Sequence, residues 1–342
     1  MLKKRASLLF AALLILQCLL LSSCGKAKKK YSEYSFELFD TVTTVTGYAE
    51  SKEEFDEMSA FVLEELLEYH RLFDIYAEYG GMENLCTLNR TGTISADARI
   101  IDMLEYAKEM YVKTGGKVNI AMGSVLSIWH DYRTAGVDKP WAAKLPPMEK
   151  LLEASEHTDI NALVIDKENG TVTITDPEMK LDVGAIAKGY AVEMVAQKLE
   201  KKGFSGYMLN VGGNVRTIGA KADGTPWTVG VENPLESEEK PYVAYLKLAG
   251  ESVVTSGLYQ RYYVVDGKRY HHIIDPATLM PSEGFASVSI LCKSSAMGDA
   301  LSTSLFCLDL ESGKALIESI DGAEAMWVLL DGKIEKTPGF PG

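Results

Sequence analysis

The chain has 342 residues, 46% of them hydrophobic, with five cysteines and a formal charge of −13. That is enough apolar material for one large core or two small ones. An acidic body excludes nucleic acid as a natural partner, because attraction to phosphate supplies the bulk of such affinity.

The N-terminus carries Lys3, Lys4 and Arg5 ahead of an apolar run from Leu8 to Leu21 broken only by Gln17. At ~1.5 Å per residue this run falls short of the ~30 Å hydrocarbon core, so it reads as a secretory signal and not as a span. It closes in Leu21-Ser22-Ser23-Cys24, which resembles the lipobox of bacterial lipoproteins and makes Cys24 the lipidated N-terminus of the mature protein. A signal cleaved elsewhere is the alternative. The expected organisation is a signal peptide over 1–23, a basic tether over 24–33 and one domain over 34–342, held at the extracytoplasmic face of the cell membrane. Loss of 1–23 removes three basic residues and no acidic one, leaving 319 residues of charge −16. Lys26 and Lys28 to Lys30 sit beside the anchor, where each lysine adds ~1 kcal/mol of attraction to anionic lipid. Cys86, Cys292 and Cys307 remain, at spacings that match no metal knuckle, and are expected mostly as free, buried thiols.

Ordered structure is expected from near Tyr34, where "YSFELFDTVTTVTGYA" has the β-branched and aromatic content of a strand. Ser51 and Glu54 form a capping box for a helix with Phe55, Met58, Val62, Leu66 and Leu67 on one face. Asp97 caps a second helix that stops at Gly115 and Gly116, and Pro147 opens a shorter one. "NALVIDKENGTVTITD" alternates on both sides of Asn169-Gly170, a hairpin pattern. A helix within "LDVGAIAKGYAVEMVAQKLEKKG" follows, then a series of strands, two helices around Asp299 and Ala315, and a last strand "EAMWVLLDG". Hairpins with helices gathered in blocks predict a single-domain α+β fold with mainly antiparallel sheet.

Several segments hold residues suited to chemistry. The small residues Gly184, Ala185, Ala187, Gly189 and Ala191 mark a helix start that a ligand can approach, with Lys188 as a nearby charge. Spacing alone favours the other reading, Asp182 as a cap and small residues for close packing. Asp299 and Thr303 share a helix face and are hard oxygen donors of the kind magnesium takes. Adjacent His271 and His272 point opposite ways in a strand, so at most one reaches a given pocket. "NVGGNV" and "VTSGLYQRYY" suit either tight turns or close approach to a ligand.

Together, "LDVGAIAKGYAVE", "LNVGGNV", "VTSGLYQRYY", "HHIIDPATLMP" and "GDALSTSLF", in this order behind a lipoprotein leader, resemble the ApbE family of FAD:protein FMN transferases. The resemblance implies magnesium-dependent transfer of FMN from FAD to a threonine or serine of an acceptor protein, with AMP released. It implies that Asp182, Lys188, Ile273, Tyr76, Lys117, Val118 and Asn119 contact FAD. It also implies that Asp299, Thr303, Ser302 and the Ala185 backbone surround the metal. His272 is the expected base. Acceptors would be membrane redox subunits or secreted flavoproteins.

The chain departs from the family pattern at Asn119, where aspartate is frequent, at Leu279, a usual glycine, and at neutral Ser302. Hydrolysis of FAD to FMN and AMP, or flavin binding without chemistry, are the alternative functions.

Overall fold

The computed structural model describes residues 27–235, 239–259 and 261–341. Cys24 and the leader lie outside these residues. Among the described residues, the largest sheet has eight strands in the order β1-β2-β6-β7-β10-β13-β14-β15, with every neighbouring pair antiparallel. The strands are β1 (Lys29–Leu38), β2 (Thr41–Ala49), β6 (Tyr207–Val211), β7 (Asn214–Ile218), β10 (Ser252–Gly257), β13 (Phe285–Cys292), β14 (Glu324–Leu329) and β15 (Ile334–Lys336). The α+β reading with antiparallel sheet holds.

The two faces of this sheet are covered differently, as strand alternation requires. Val45, Leu209, Val211, Val288, Ile290 and Trp327 point to one face. They join a core with α1 (Lys52–Phe73), α6 (Ala187–Lys201) and α7 (Ser295–Phe306). From the other face, Met208, Val215, Val253, Leu291 and Met326 meet Trp227, Val229, Leu246 and Leu248 of a separate hairpin, β8 (Trp227–Glu232) and β9 (Tyr242–Leu248). A third cluster joins α4 (Gly123–Asp138) and α5 (Met148–Ser155) to the β11 (Tyr262–Val265) and β12 (Lys268–His271) hairpin through Val125, Trp129, Leu151, Tyr263 and Leu279. The predicted Asn-Gly hairpin forms between β4 (Leu163–Asp166) and β5 (Thr171–Ile174), extended by β3 (Thr93–Ser95).

Local signals explain the helix starts. The Ser51 hydroxyl accepts from the Glu54 amide, and Glu54 reaches back to the amide of Glu50. The Asp97 carboxylate caps α3 (Ala98–Lys113) through the Arg99 amide.

Three expectations need correction. Among the described residues β1 starts at Lys29, paired with Ala49, so 29–33 belong to the sheet and not to a tether. The single strand expected from Tyr34 is two, turned at Phe39 and Asp40 with φ of 54° and 50°. Such a two-residue turn is ordinarily flagged by Asn-Gly, and neither residue here announces it. Finally, Asp182 is not a helix cap: α6 starts at Ala187, its N-cap is Ile186, and the Asp182 carboxylate instead accepts from the Gly184 amide at 2.8 Å.

Candidate active site

A cleft of about 1010 Å³ opens where the Phe39-Asp40 turn, the end of α1, the face of α4, the segment before α6, the ends of β7 and β10, and α7 converge. Its size suits a dinucleotide-sized ligand. Tyr76, Lys117, Val118, Asn119, Asp182, Ala185, Lys188, His272, Ile273, Asp299 and Thr303 all line it, although they come from five separate stretches of chain.

Asp299 is buried on α7, and its Oδ2 accepts the backbone N–H of Gly189 in α6 at 2.8 Å. Burial pushes its carboxyl pKa up, opposed by Lys188, whose Nζ lies 3.8 Å from Oδ2. Asp182 is likewise raised by burial. Lys188, Arg133 and Arg261 line the same cleft and act against that rise, so the two carboxylates sit among cations. Asn214 Nδ2 approaches Asp299 Oδ1 at 3.4 Å, while the buried Asn214 Oδ1 has no protein partner among the described residues. Thr303 faces the same cleft one helical turn beyond Asp299.

These donors fit magnesium, which takes one or two carboxylates and completes its shell with water and substrate phosphates. They do not form a protein-only cage, since among the described residues no three His, Cys, Asp or Glu side chains converge. Ser302 does not line the cleft. Its hydroxyl bonds Ser256 Oγ at 2.8 Å and the Asp299 carbonyl at 3.0 Å, which puts it behind the donors.

The two histidines separate as adjacent residues should. His271 is structural: Nε2 donates to the Ser282 carbonyl at 2.8 Å and Nδ1 accepts the Ile273 amide at 3.2 Å. His272 follows the end of β12 and reaches the cleft, with a buried Nδ1 that finds no protein partner among the described residues. Burial, reinforced by Arg261, pushes its pKa down to about 3, so the ring is neutral at pH 7.

The remaining predicted contacts have distinct local roles. Lys117 pairs with Asp275 at 2.7 Å and so ties the "IDP" turn to the cleft wall. Asn119 Oδ1 accepts the Ala121 amide and its Nδ2 donates to the Thr158 carbonyl, both at 2.9 Å. An aspartate could not make the second bond. Tyr76 is 63% exposed, its ring 5.2 Å from that of His130.

Sequence reasoning missed His130, Arg133, Arg261 and Asn214, all of which line the cleft. A weak signal existed for two of them, because His130 and Arg133 lie three apart on α4 and share a face. Arg261 and Asn214 sat inside quoted motifs but carried no pattern of their own.

Residues 39–327 match the family model described as the ApbE family. A Treponema pallidum protein named FAD:protein FMN transferase is 32% identical over 261 residues, covering 72% of this chain and 70% of that protein. The chain belongs to the ApbE family.

A second ApbE relative, from Klebsiella pneumoniae and also named FAD:protein FMN transferase, is 30% identical, covering 75% of this chain and 81% of its own. The crystal structure of the ApbE protein from Thermotoga maritima superposes with a TM-score of 0.79 at 27% identity, over 91% of this chain and 97% of that one. The flavin transferase ApbE from Vibrio cholerae shares the fold, with a TM-score of 0.73 at 23% identity over the same shares of the two chains.

Proposed function

We propose that this ApbE-family enzyme transfers FMN from FAD to a threonine or serine hydroxyl of an acceptor protein, releasing AMP. The observation that carries the reading is one cleft holding both an oxygen-donor corner at Asp299 and a buried imidazole nitrogen with no protein partner among the described residues. The names of the Treponema and Klebsiella relatives support the same reaction.

In the transfer, the acceptor hydroxyl oxygen bonds to the phosphorus of the FMN half. The bond from that phosphorus to the bridging oxygen breaks, and AMP leaves with the electron pair. His272 takes the hydroxyl proton, for which its neutral state at pH 7 is required. A pKa near 3 makes a weak base; burial is its main cause, and the smaller share from cations, Arg261 and Lys188 among them, is offset where they face the negative diphosphate of bound FAD. An anion beside the imidazole raises its basicity when it is needed.

Asp299, Thr303 and the Ala185 backbone are the groups that would hold magnesium. Bound there, it supplies polarisation of the phosphoryl oxygens and offsets charge developing on AMP. The α6 start holds Asp299 as its anion through Gly189, so its first contribution is to orient the metal carboxylate. Lys188 stands beside the same corner, where its charge serves the diphosphate.

The leader supports secretion and lipidation at Cys24, and the family resemblance supports acceptors among membrane redox subunits or secreted flavoproteins. An unmodified Cys24 in a mass spectrum of the mature protein removes the anchor.

The test is to incubate the mature protein with FAD, magnesium and extracytoplasmic proteins of its source, then read in-gel flavin fluorescence and AMP. The expected result is a fluorescent acceptor with AMP released, lost by ~10²–10⁴-fold in His272→Ala while FAD binding persists. Free FMN without acceptor favours the pyrophosphatase. Absence of AMP under every condition leaves a flavin-binding protein.

A further inference from the structure

Behind the donor corner lies a buried ion pair that the reaction does not touch. Glu193 of α6 and Arg216 of β7 have side chains only 6% and 5% exposed, with Arg216 Nε 3.2 Å from Glu193 Oε2. Arg216 Nη2 also bonds Glu200 Oε1 at 2.9 Å. Charges so deep in a core are expensive and need a compensating use. The use visible here is that Glu193 Oε2 accepts the backbone N–H of Ser295, the first residue of α7, at 2.8 Å.

This bond has a reciprocal. Ser295 and Asp299 are four apart on α7, and Gly189 and Glu193 are four apart on α6, one helical turn in each case. The α6 carboxylate of Glu193 takes an α7 amide, and the α7 carboxylate of Asp299 takes the α6 amide of Gly189, again at 2.8 Å. The helices therefore run antiparallel, joined by two carboxylate-to-amide rungs of opposite direction. Only the Asp299 rung faces the cleft. The absence of a side chain at Gly189 permits the approach, since a Cβ there would lie 2.4 Å from both Asp299 Cβ and the Ser295 carbonyl oxygen.

We propose that Glu193, aimed by Arg216, is a positioning residue for the metal corner: it fixes the start of α7 against α6 and thereby sets where Asp299 presents Oδ1 to a cation. The pair touches neither substrate nor cation. It acts as an outer support of the kind whose removal costs ~10–100-fold in metal affinity. This inference rests on the transferase reading given above.

The experiment measures divalent-cation binding separately from turnover. Mn²⁺ binding to the FAD-loaded protein is counted by electron paramagnetic resonance, and the Mg²⁺ dependence of transfer is titrated in parallel. Glu193→Gln removes the charge, and Glu193→Asp keeps it but draws the oxygen back by about one C–C bond, ~1.5 Å, from Ser295. Glu200→Gln removes only the outer, 41% exposed partner of Arg216, leaving the bond from Arg216 Nε to Glu193 and the bond from Glu193 to α7 in place, and serves as the control.

Both Glu193 variants are expected to weaken Mn²⁺ binding and raise the Mg²⁺ half-saturation by ~10-fold or more, with transfer recovering at high Mg²⁺. Glu200→Gln is expected to leave both unchanged. If Glu193→Gln does not fold, Glu193→Asp decides alone. Wild-type Mn²⁺ affinity in a folded Glu193 variant, or an equal loss in Glu200→Gln, overturns the proposal. Absence of transfer by the wild-type protein overturns the functional reading instead.

Discussion

Replacing Gly189 by alanine probes the joint on which the site depends. The added Cβ would sit 2.4 Å from both Asp299 Cβ and the Ser295 carbonyl oxygen, where atoms need ~3.5 Å. Neither neighbour is a flexible side-chain end, so α6 and α7 must part by about 1 Å. Such overpacking costs ~1–3 kcal/mol. Parting also strains the bond from the Gly189 amide to the Asp299 carboxylate, a charged hydrogen bond worth ~1.5–3 kcal/mol. Alanine returns ~1 kcal/mol of helix propensity. The net loss is ~1.5–5 kcal/mol, or about 3–10 °C at ~2 °C per kcal/mol for a domain of this size. Thermal melting with and without magnesium and FAD reads the first effect, and a magnesium titration of transfer reads the second. Gly80→Ala is the control, because a Cβ there meets nothing within 4 Å. Wild-type melting and an unaltered magnesium requirement in Gly189→Ala would refute the argument that helix spacing sets the site.

Asn119→Asp, the residue frequent at this position in the family, removes the donor to the Thr158 carbonyl and leaves a carboxylate facing it. A loss of ~1–3 kcal/mol in denaturant unfolding is expected, and equal stability would show that this bond contributes nothing. The pH dependence separates His272 from the carboxylates. The neutral imidazole is present above its folded pKa of about 3 and is lost only as pH falls through that value, so kcat/KM should show no histidine limb near the ordinary ~6.5. Any acid limb of kcat/KM belongs to Asp182 and Asp299, whose raised pKa values mean that they gain protons first as pH falls, and it should move to lower pH as magnesium is added. The limb of kcat, reporting the FAD complex, should lie above the free protein's value of about 3. A magnesium-independent limb near 6.5 in kcat/KM contradicts this assignment.

Much of the site was legible because its chemistry is local. Asp299 and Thr303 needed only helical periodicity, and the separation of His271 from His272 needed only the alternation of extended backbone. The family resemblance supplied Tyr76, Lys117 and Ile273, which no spacing marks. Leu279 shows the opposite case. It stands where the resemblance implies a usual glycine and adopts φ 60°, a left-handed conformation costing ~1–2 kcal/mol for an L-residue. Its buried side chain packs in the cluster with Trp129, whose indole N–H bonds the Leu279 carbonyl at 2.9 Å. Nothing in "DPATLMP" reveals that packing offset.

By itself, the sequence determined the antiparallel α+β class, the capped starts of α1 and α3 and the set of motifs, because these depend on residues within a few positions of each other. Tertiary structure alone decided what the small residues before and within α6 are for. Both first readings survive, at different residues. Gly184 and Ala185 line the cleft, whereas Gly189 is small because α7 packs against it. It also decided that the α6 amide goes to Asp299, that Ser302 stands behind the donors, and that Arg133 and Arg261 join the cleft. The physical reason is range: residues more than a hundred positions apart meet only when helices and sheet have packed, and no local pattern encodes which amide a distant carboxylate will take.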